Sequence, residues 1–247
     1  MSRPRLHRVS ALLIRQRNYG EADRIIVLLT RERGKVSAIA KGVRRARAKL
    51  AGALRLFCHT EVLLAAGRSL DAIAQAQLIG AFPHLGEDMA RYAHASYFCE
   101  MVDALMEEEA PDETVFDLVL ESLRALDLGG DAPTVGRGFE LKLFTHLGYG
   151  PEVDTCVSCG TEAEGGEAGF SPQEGGILCS RCRRANGAGA LTPGAVRAMR
   201  DLIALPMGDI GKRKLTAAVG PELERLMRLY VDYRLERPLK SAGLLRR

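Results

Sequence analysis

Two pairs of cysteines place the tightest constraint on how part of this chain can fold. The pairs are Cys156 and Cys159 in "CVSCG" and Cys179 and Cys182 in "LCSRC", and nineteen residues separate them. Two sulfurs at this spacing can bind one tetrahedral metal ion, and the second pair completes a set of four ligands. The pattern therefore predicts a small ribbon over residues 153–184 that holds one structural Zn²⁺ and leaves no coordination position for a reactive water.

The residues around these cysteines bear on the alternatives. A redox-active dithiol needs a thioredoxin-like βαβ setting, which the flanking sequence does not have. Cys58 lies in a strand pattern and Cys99 in a helix pattern, so both are predicted to be small buried side chains rather than ligands. Three nearby cations can offset the negative charge of a zinc tetrathiolate: Arg181, Arg183 and Arg184.

The N-terminal third of the chain has the pattern of a small barrel. "RIIVLLT" is a nearly continuous aliphatic run, as in a strand buried on both faces, and "GKVSAIAKG" alternates, with Val36, Ala38 and Ala40 on one side. "LRLFCHTEVLLAA" and "LDAIAQAQLIG" follow, joined through "GRS" by a hairpin-type connection. Five short strands with turns between them predict an OB-fold over residues 1–80, with residues 41–49 in the loop between the third and fourth strands.

From about residue 84 the hydrophobic period becomes helical. Pro111 is predicted to begin one helix, Thr134 to cap the next, and Thr192 with Pro193 to begin a later one. The first helix has an apolar stripe predicted to face a core, which comprises Met89, Tyr92, Ala93, Tyr97, Met101, Ala104 and Leu105. The predicted fold class is therefore α+β: an N-terminal OB-fold β-barrel (residues 1–80) and a helical C-terminal domain (residues 81–247) with an inserted four-cysteine zinc ribbon.

Charge is strongly segregated along the chain, although its formal net charge is only +4. Residues 1–80 contain thirteen arginines and three lysines against five acids, whereas residues 87–131 contain thirteen acids against two arginines. A basic block indicates a polyanion partner or a docking face. The alternative is a basic domain that lies against an acidic one, and the acids of "EEEAPDE" are predicted to form a solvated face.

Motifs for catalysis or membrane insertion are not found in the sequence. Neither HExxH nor GxSxG occurs, and "ERGK" lacks the first glycine and the Ser or Thr of a phosphate-binding loop. The five histidines are scattered, so the chain is predicted not to be an enzyme. No apolar run approaches 18 residues, and "ALLI" is too short for a secretory signal, which favours a cytoplasmic protein with reduced thiols.

Three stretches resemble the RecO family of bacterial DNA repair proteins. They are "YGEADRIIVLLTRERGKVSAIAKGVRRARAKLAGALRLF", "FELKLFTHLGYGPEVDTCVSCG" with "FSPQEGGILCSRC", and the C-terminal "RPLKS". The resemblance implies the same three-part fold and a recombination mediator that binds single- and double-stranded DNA and anneals complementary strands. It also implies RecR and single-stranded-DNA-binding protein as partners and a functional link to RecA at the nucleoid. Because some family members lack the zinc cysteines, it further implies that the ribbon is not the chemical centre of the function.

The residues themselves refine the expected mode of DNA binding. Residues 1–80 contain only Tyr19 and Phe57 as aromatics on which bases could stack, so the contact is predicted to be made mainly to phosphates. Arg15 and Arg24 are weaker candidates, because each could pair with Glu21 or Asp23 instead. The stronger candidate phosphate contacts are Lys35, Lys41, Arg44, Arg45, Arg47 and Lys49.

Two other classes of function stay open at this stage. A zinc-ribbon adaptor would bind nucleic acid through the same basic face without annealing it. A hydrolase acting on nucleic acid is disfavoured by the closed set of four cysteines and by the missing cluster of carboxylates. The sequence does not locate the residues that contact RecR or the tail of the single-strand-binding protein, the oligomeric state, or any contact between the ribbon and DNA.

Overall fold

The computed structural model describes residues 5–46, 48–162, 168–235 and 238–245. Its contacts divide the chain into two compact units. Unit 1 ends at Asp127 and also includes the segment that begins at Ser241, and unit 2 is Leu128–Lys240. In the described part of the chain, no helix has both the length and the apolar character needed to cross a membrane.

Unit 1 contains a closed five-stranded barrel, as the sequence predicts. Its strands are β1 (Leu6–Tyr19), β2 (Asp23–Thr30), β3 (Gly34–Ala40), β4 (His59–Ala65) and β5 (Asp71–Gly80). Neighbouring strands follow the closed order β1-β2-β3-β5-β4, with β4 paired to β1 and a short parallel pairing between β3 and β5. This is an OB-like arrangement.

The alternation within the strands explains why the barrel forms. Val36, Ala38 and Ala40 of β3 lie in the core, as predicted, and every residue of β2 from Ile25 to Thr30 is buried. Because the side-chain period of a strand is two, a shift of one residue would turn the buried side chains of β3 outward, so burial sets the register. The loop between β3 and β4 adds Val43 and Leu54 to the core and thereby closes one end of the barrel.

Two helices complete unit 1: α1 (Met89–Leu105) and α2 (Glu113–Asp127). The predicted stripe of α1 is wrong at its start, because Met89 is 71% exposed and Tyr92 is also exposed. The stripe is buried from Ala93 to Met101, and its last two residues, Ala104 and Leu105, are half-buried. Pro111 precedes α2 rather than beginning it, since the Asp112 carboxylate accepts the Val115 amide at 3.0 Å and so acts as the cap.

Unit 2 begins with α3 (Ala132–His146), followed by a short hairpin of β6 (Gly169–Ser171) and β7 (Gly176–Leu178) and by α4 (Ser180–Ala185). The remaining helices are α5 (Pro193–Ala204), α6 (Met207–Ile210) and α7 (Val219–Arg234). Thr192 caps α5 as predicted. The prediction for α3 is wrong, because Asp131 is the cap and the Thr134 hydroxyl donates to its carboxylate at 2.6 Å.

Candidate nucleic-acid interface and metal centre

The four cysteines of the two pairs come together in unit 2. The Sγ atoms of Cys156, Cys159, Cys179 and Cys182 all lie within 4.8 Å of one another, and those of Cys159 and Cys179 are 3.7 Å apart. Four sulfurs at about 2.3 Å from a tetrahedral ion would be about 3.8 Å apart. The cluster therefore fits a metal ion of this kind, as the sequence predicts.

Each cysteine pair is presented by a different local structure. The first pair lies in a tight turn, in which the Gly160 amide donates to the Cys156 carbonyl at 2.8 Å and Gly160 has a φ of +73°, a value that glycine adopts without strain. The second pair lies at the start of α4, with Cys179 at its N-cap position. The Val157 amide donates a hydrogen bond of 2.9 Å to the Ile177 carbonyl of β7, and this bond holds the turn against the hairpin.

Polar groups around the cluster favour the thiolate form of Cys159. Hydrogen bonds from the Thr161 hydroxyl and amide lower the pKa of the Cys159 thiol to about 6. Thiolates are the form that binds a metal. Arg181 lies beside the same sulfur, and its hydrogen bond to Cys159 raises the pKa of the guanidinium, so this arginine does offset the charge of the cluster.

The basic loop, which we define as residues 41–49, leaves the barrel at the end of β3. Its first part is fastened to the turn between β1 and β2: the Gly42 amide donates to the Asp23 carboxylate at 2.7 Å, and the Arg44 amide donates to the Ala22 carbonyl at 2.9 Å. The Arg44 guanidinium also donates to the Gly20 carbonyl at 3.2 Å. The loop is thus positioned mainly by its backbone and by Arg44, and the side chains of Lys41, Arg45 and Lys49 remain exposed.

The cations of the basic loop are exposed and close to one another in sequence. Lys41, Arg44, Arg45 and Lys49 are all exposed, and none of the four makes an ion pair with another described residue. Lys41, Arg45 and Lys49 line one shallow groove. Arg47 lies outside the described residues.

The other predicted phosphate contacts are engaged elsewhere. Lys35 is 9% exposed, and its ammonium donates to the Asp103 carbonyl at 2.7 Å and lies 3.6 Å from the Asp103 carboxylate. Arg15 pairs with the same carboxylate at 2.7 Å. Arg24 donates to the Gln16 side chain at 3.2 Å. The structure therefore directs Lys35 and Arg15 to α1 and does not bring Lys35 to the basic loop.

Acids from the "EEEAPDE" region pair with the barrel rather than forming only a solvated face. Arg31 pairs with Glu113 and Asp117 of α2, and Arg33 pairs with Glu109 at 2.6 Å and with Asp71 at 2.7 Å. Hydrogen bonds to these carboxylates raise the pKa of both guanidinium groups, with Asp117 the largest cause for Arg31 and Asp71 for Arg33.

The segment before α2 also covers the outer edge of β3. The Glu109 amide donates to the Lys35 carbonyl at 2.9 Å, and the Ser37 hydroxyl donates to the Glu108 carboxylate at 3.4 Å. Gly34 lies so close to Ala110 that a Cβ on this glycine would come within 2.1 Å of the Ala110 carbonyl oxygen. Sequence reasoning missed this packing, because the two segments are about seventy residues apart.

The two aromatics of the barrel differ in their availability. Phe57 is only 7% exposed and packs edge-on against Tyr92 of α1, with ring centroids 5.5 Å apart. Tyr19, at the end of β1, is 52% exposed. Among the described barrel aromatics, only Tyr19 is therefore open to a base.

A serine–histidine contact that sequence reasoning missed lies at the start of β4. The Ser10 hydroxyl is 2.8 Å from His59 Nε2, and the ring packs edge-on against Phe116. Burial lowers the pKa of His59. No described carboxylate is hydrogen-bonded to this ring, so the contact lacks the third member of a catalytic triad.

Comparison with known proteins agrees with this architecture. Residues 1–82 match the family model "Recombination protein O N terminal", and residues 86–243 match "Recombination protein O C terminal". The chain is 41% identical to the DNA repair protein RecO of Symbiobacterium thermophilum, over 97% of this chain and 96% of that protein. It is 39% identical to the RecO of a Nocardioides species, over 98% and 100%, and 36% identical to that of a Roseiflexus species, over 98% and 86%. With its OB-like barrel, its helical part and its four-cysteine cluster, the chain belongs to the RecO family of DNA repair proteins.

Proposed function

We propose that this protein is a recombination mediator that binds single- and double-stranded DNA through the basic loop of its barrel, with residues 1–80 as the DNA-binding domain. It would anneal complementary strands and, together with RecR, help to load RecA on DNA coated by single-strand-binding protein. The observation that carries the proposal is the group of exposed cations in the loop, which have no acid partner among the described residues. Such a protein would act in the cytoplasm, at the nucleoid, without a catalytic step of its own.

Phosphate contacts are the natural use of this loop. Each cation that neutralises a phosphate releases counterions, which gives affinity without sequence preference. Because Phe57 is buried, the barrel has little surface on which to stack bases. Bases that are not stacked on the protein remain free to pair, and this would suit strand annealing.

The contacts proposed are Lys41, Arg44, Arg45 and Lys49, together with Arg47, which lies outside the described residues. Arg24 is a weaker candidate, since it donates to Gln16. Lys35 and Arg15 are left out of the proposed interface because Asp103 holds both.

We further propose that the metal of the four-cysteine cluster is a structural Zn²⁺. The support is the all-sulfur ligand set and its spacing, which are typical of closed zinc sites. The ribbon has too few residues for a large core of its own, so metal binding would supply much of its folding energy. Metal analysis of the purified protein should find about one zinc per chain, and another metal or none would contradict this assignment.

The test of the proposed function is annealing of two complementary labelled strands. The loop variant changes Arg44, Arg45 and Lys49 to Gln, which removes three charges and keeps polar, flexible side chains. We expect it to lose both annealing and DNA affinity while it retains its zinc content and its unfolding midpoint. Unchanged annealing by the loop variant would overturn the proposal. If the natural protein binds DNA but does not anneal the two strands, the adaptor function is favoured instead.

A matched control removes the same amount of charge where each cation has an acid partner. Lys212 pairs with Asp209 at 2.9 Å, Arg213 with Asp201 at 3.4 Å, and Lys214 lies 3.8 Å from an Asp131 carboxylate oxygen. The control variant changes these three cations to Gln and should anneal at close to the natural rate. An equal loss in both variants would mean that net charge, rather than the loop, carries the activity.

A further inference from the structure

The surface that OB-folds most often use is partly covered in this protein. OB-folds commonly bind nucleic acid across strands 2 and 3 and the loops beside them. Here Glu108 and Glu109 lie along β3, where Glu109 pairs with Arg33 at 2.6 Å and its amide bonds to Lys35. A strand of DNA that followed β3 would meet the Glu108 carboxylate, which has no cationic partner among the described residues, and like charges repel.

The basic loop lines one groove, and a second groove adjoins it. The first groove is lined by Lys41, Arg45, Lys49 and Leu50, and the second contains Lys49 and Leu50 as well. The second groove continues over the outer surface of β4 and β5, so the two form one path that begins at the cations and runs onto the sheet.

The lining of the second groove mixes polar and apolar side chains and is nearly free of negative charge. Gln75 and Gln77 of β5 are exposed within it, opposite Leu63 and Glu61 in the register of β4. Glu61 is the one carboxylate of this lining, and Arg8 pairs with it at 2.5 Å. The groove thus combines two glutamine side chains that make no hydrogen bond with the described residues and one carboxylate that is paired with an arginine.

The backbone of β5 also leaves room for a ligand. Leu64 pairs with Ile73 and Leu63 with Gln75, so Ala74 is an extra residue that forms a bulge. β5 pairs with β3 only at Asp71 and Ala72. Beyond Ala72, the edge of β5 that does not face β4 pairs with no strand among the described residues, and the exposed Ala74 has a side chain small enough for close approach.

We propose that this second groove binds nucleotides of single-stranded DNA next to those held by the basic loop, with Gln75 and Gln77 contacting base or sugar atoms. The inference rests on the proposed function, because the loop supplies most of the affinity. Glutamine side chains both donate and accept hydrogen bonds, so they can contact any base without strong preference. In a duplex the base edges are paired, and the groove then contributes little.

The test compares the binding of a labelled oligothymidylate and of a labelled duplex across a salt series. The groove variant changes Gln75 and Gln77 to Ala. We expect about tenfold weaker binding of the single strand, from the loss of two neutral hydrogen bonds. The slope of log affinity against log salt should stay unchanged, since glutamine releases no counterions. Duplex affinity should stay within about twofold.

A matched control changes Gln173, an exposed glutamine of unit 2, to Ala and should bind as the natural protein does. A second variant, Ala74→Glu, places an anion in the groove and should weaken single-strand binding. If the groove variants bind normally while the loop variant loses affinity, the groove inference is overturned and the proposed function stands. If the loop variant also binds normally, both are overturned.

Discussion

Two groups of cations, those from Arg31 to Lys35 around the start of β3 and those of the loop after β3, are close in sequence but have opposite surroundings. Arg31, Arg33 and Lys35 each lie against at least one carboxylate of α1, α2 or the segment between them. The exposed cations of the basic loop have no such partner among the described residues. One basic stretch of sequence therefore contains a part whose cations are paired with acids and a part whose described cations have no acid partner.

The interpretation that a basic segment lies against an acidic one holds for part of the chain, whereas a polyanion partner for the rest is our proposal. The basic barrel does lie against an acidic segment, through the ion pairs of Arg31, Arg33 and Lys35. The basic loop is left out of this pairing and keeps its positive potential. Three experiments can sharpen or break the distinction, and we take them in order of expected effect.

The largest effect is expected for DNA affinity in the loop variant. Each lost phosphate contact to a single strand reduces the salt slope by about 0.7, so three should reduce it by about 2. At about 0.1 M salt this corresponds to an affinity lower by roughly 100-fold. Fluorescence anisotropy with a labelled oligonucleotide over a salt series measures both quantities.

The same measurement can show that the basic loop and the acid-paired cations do not differ in their contribution to DNA binding. If the salt slope of the loop variant equals that of the natural protein, the loop does not neutralise phosphates. A variant with Arg31 changed to Gln serves as the matched control, because this cation is already neutralised by Glu113 and Asp117. Its slope should remain close to the natural value.

An intermediate effect is expected on stability when Asp103, the acid that pairs with Arg15 and Lys35, is replaced. In Asp103→Ala the buried Lys35 ammonium loses its carboxylate, and Arg15 loses its partner. A buried ammonium that keeps only the carbonyl of residue 103 and has no countercharge should lower the free energy of unfolding of unit 1 by about 2 kcal/mol. Urea unfolding of the full chain measures it, and Arg45→Gln, in the exposed loop, should leave the midpoint in place. Equal midpoints for Asp103→Ala and the natural protein would show that the pairing does not support the fold.

The smallest effect is expected on DNA affinity when acids beside β3 are removed, so that this region becomes more positive, like the basic loop. Changing Glu108 to Gln and Glu109 to Asn removes two acids from the edge of β3 and releases Arg33 from one of its partners. Asn suits position 109, where φ is +57°. Single-strand affinity should rise about threefold in the anisotropy assay, because the local potential becomes more positive. A fall in affinity would mean that these acids position the interface instead of opposing DNA.

Local patterns in the sequence account for much of the fold. The strands of the barrel follow from alternation and from the aliphatic run of β2, and the cysteine cluster follows from spacing. The predictions that are wrong concern the starts of helices, where several neighbouring residues could be the N-cap or the first residue. Asp131 rather than Thr134 caps α3, and α1 begins with exposed Met89. A carboxylate and a hydroxyl both suit an N-cap, and only the packed structure decides between them.

By itself the sequence determined the four-cysteine cluster, the barrel and the position of a basic loop between two of its strands, because each depends on residues close together in the chain. The tertiary structure decided which cations remain available. The acids that pair with Arg31 and Arg33 lie 38 to 86 residues further along, and the Asp103 carbonyl that binds Lys35 lies 68 residues away. Charge pairing falls off over a few ångströms, so it is set by the packing of α1 and α2 on the barrel, which composition and spacing cannot show.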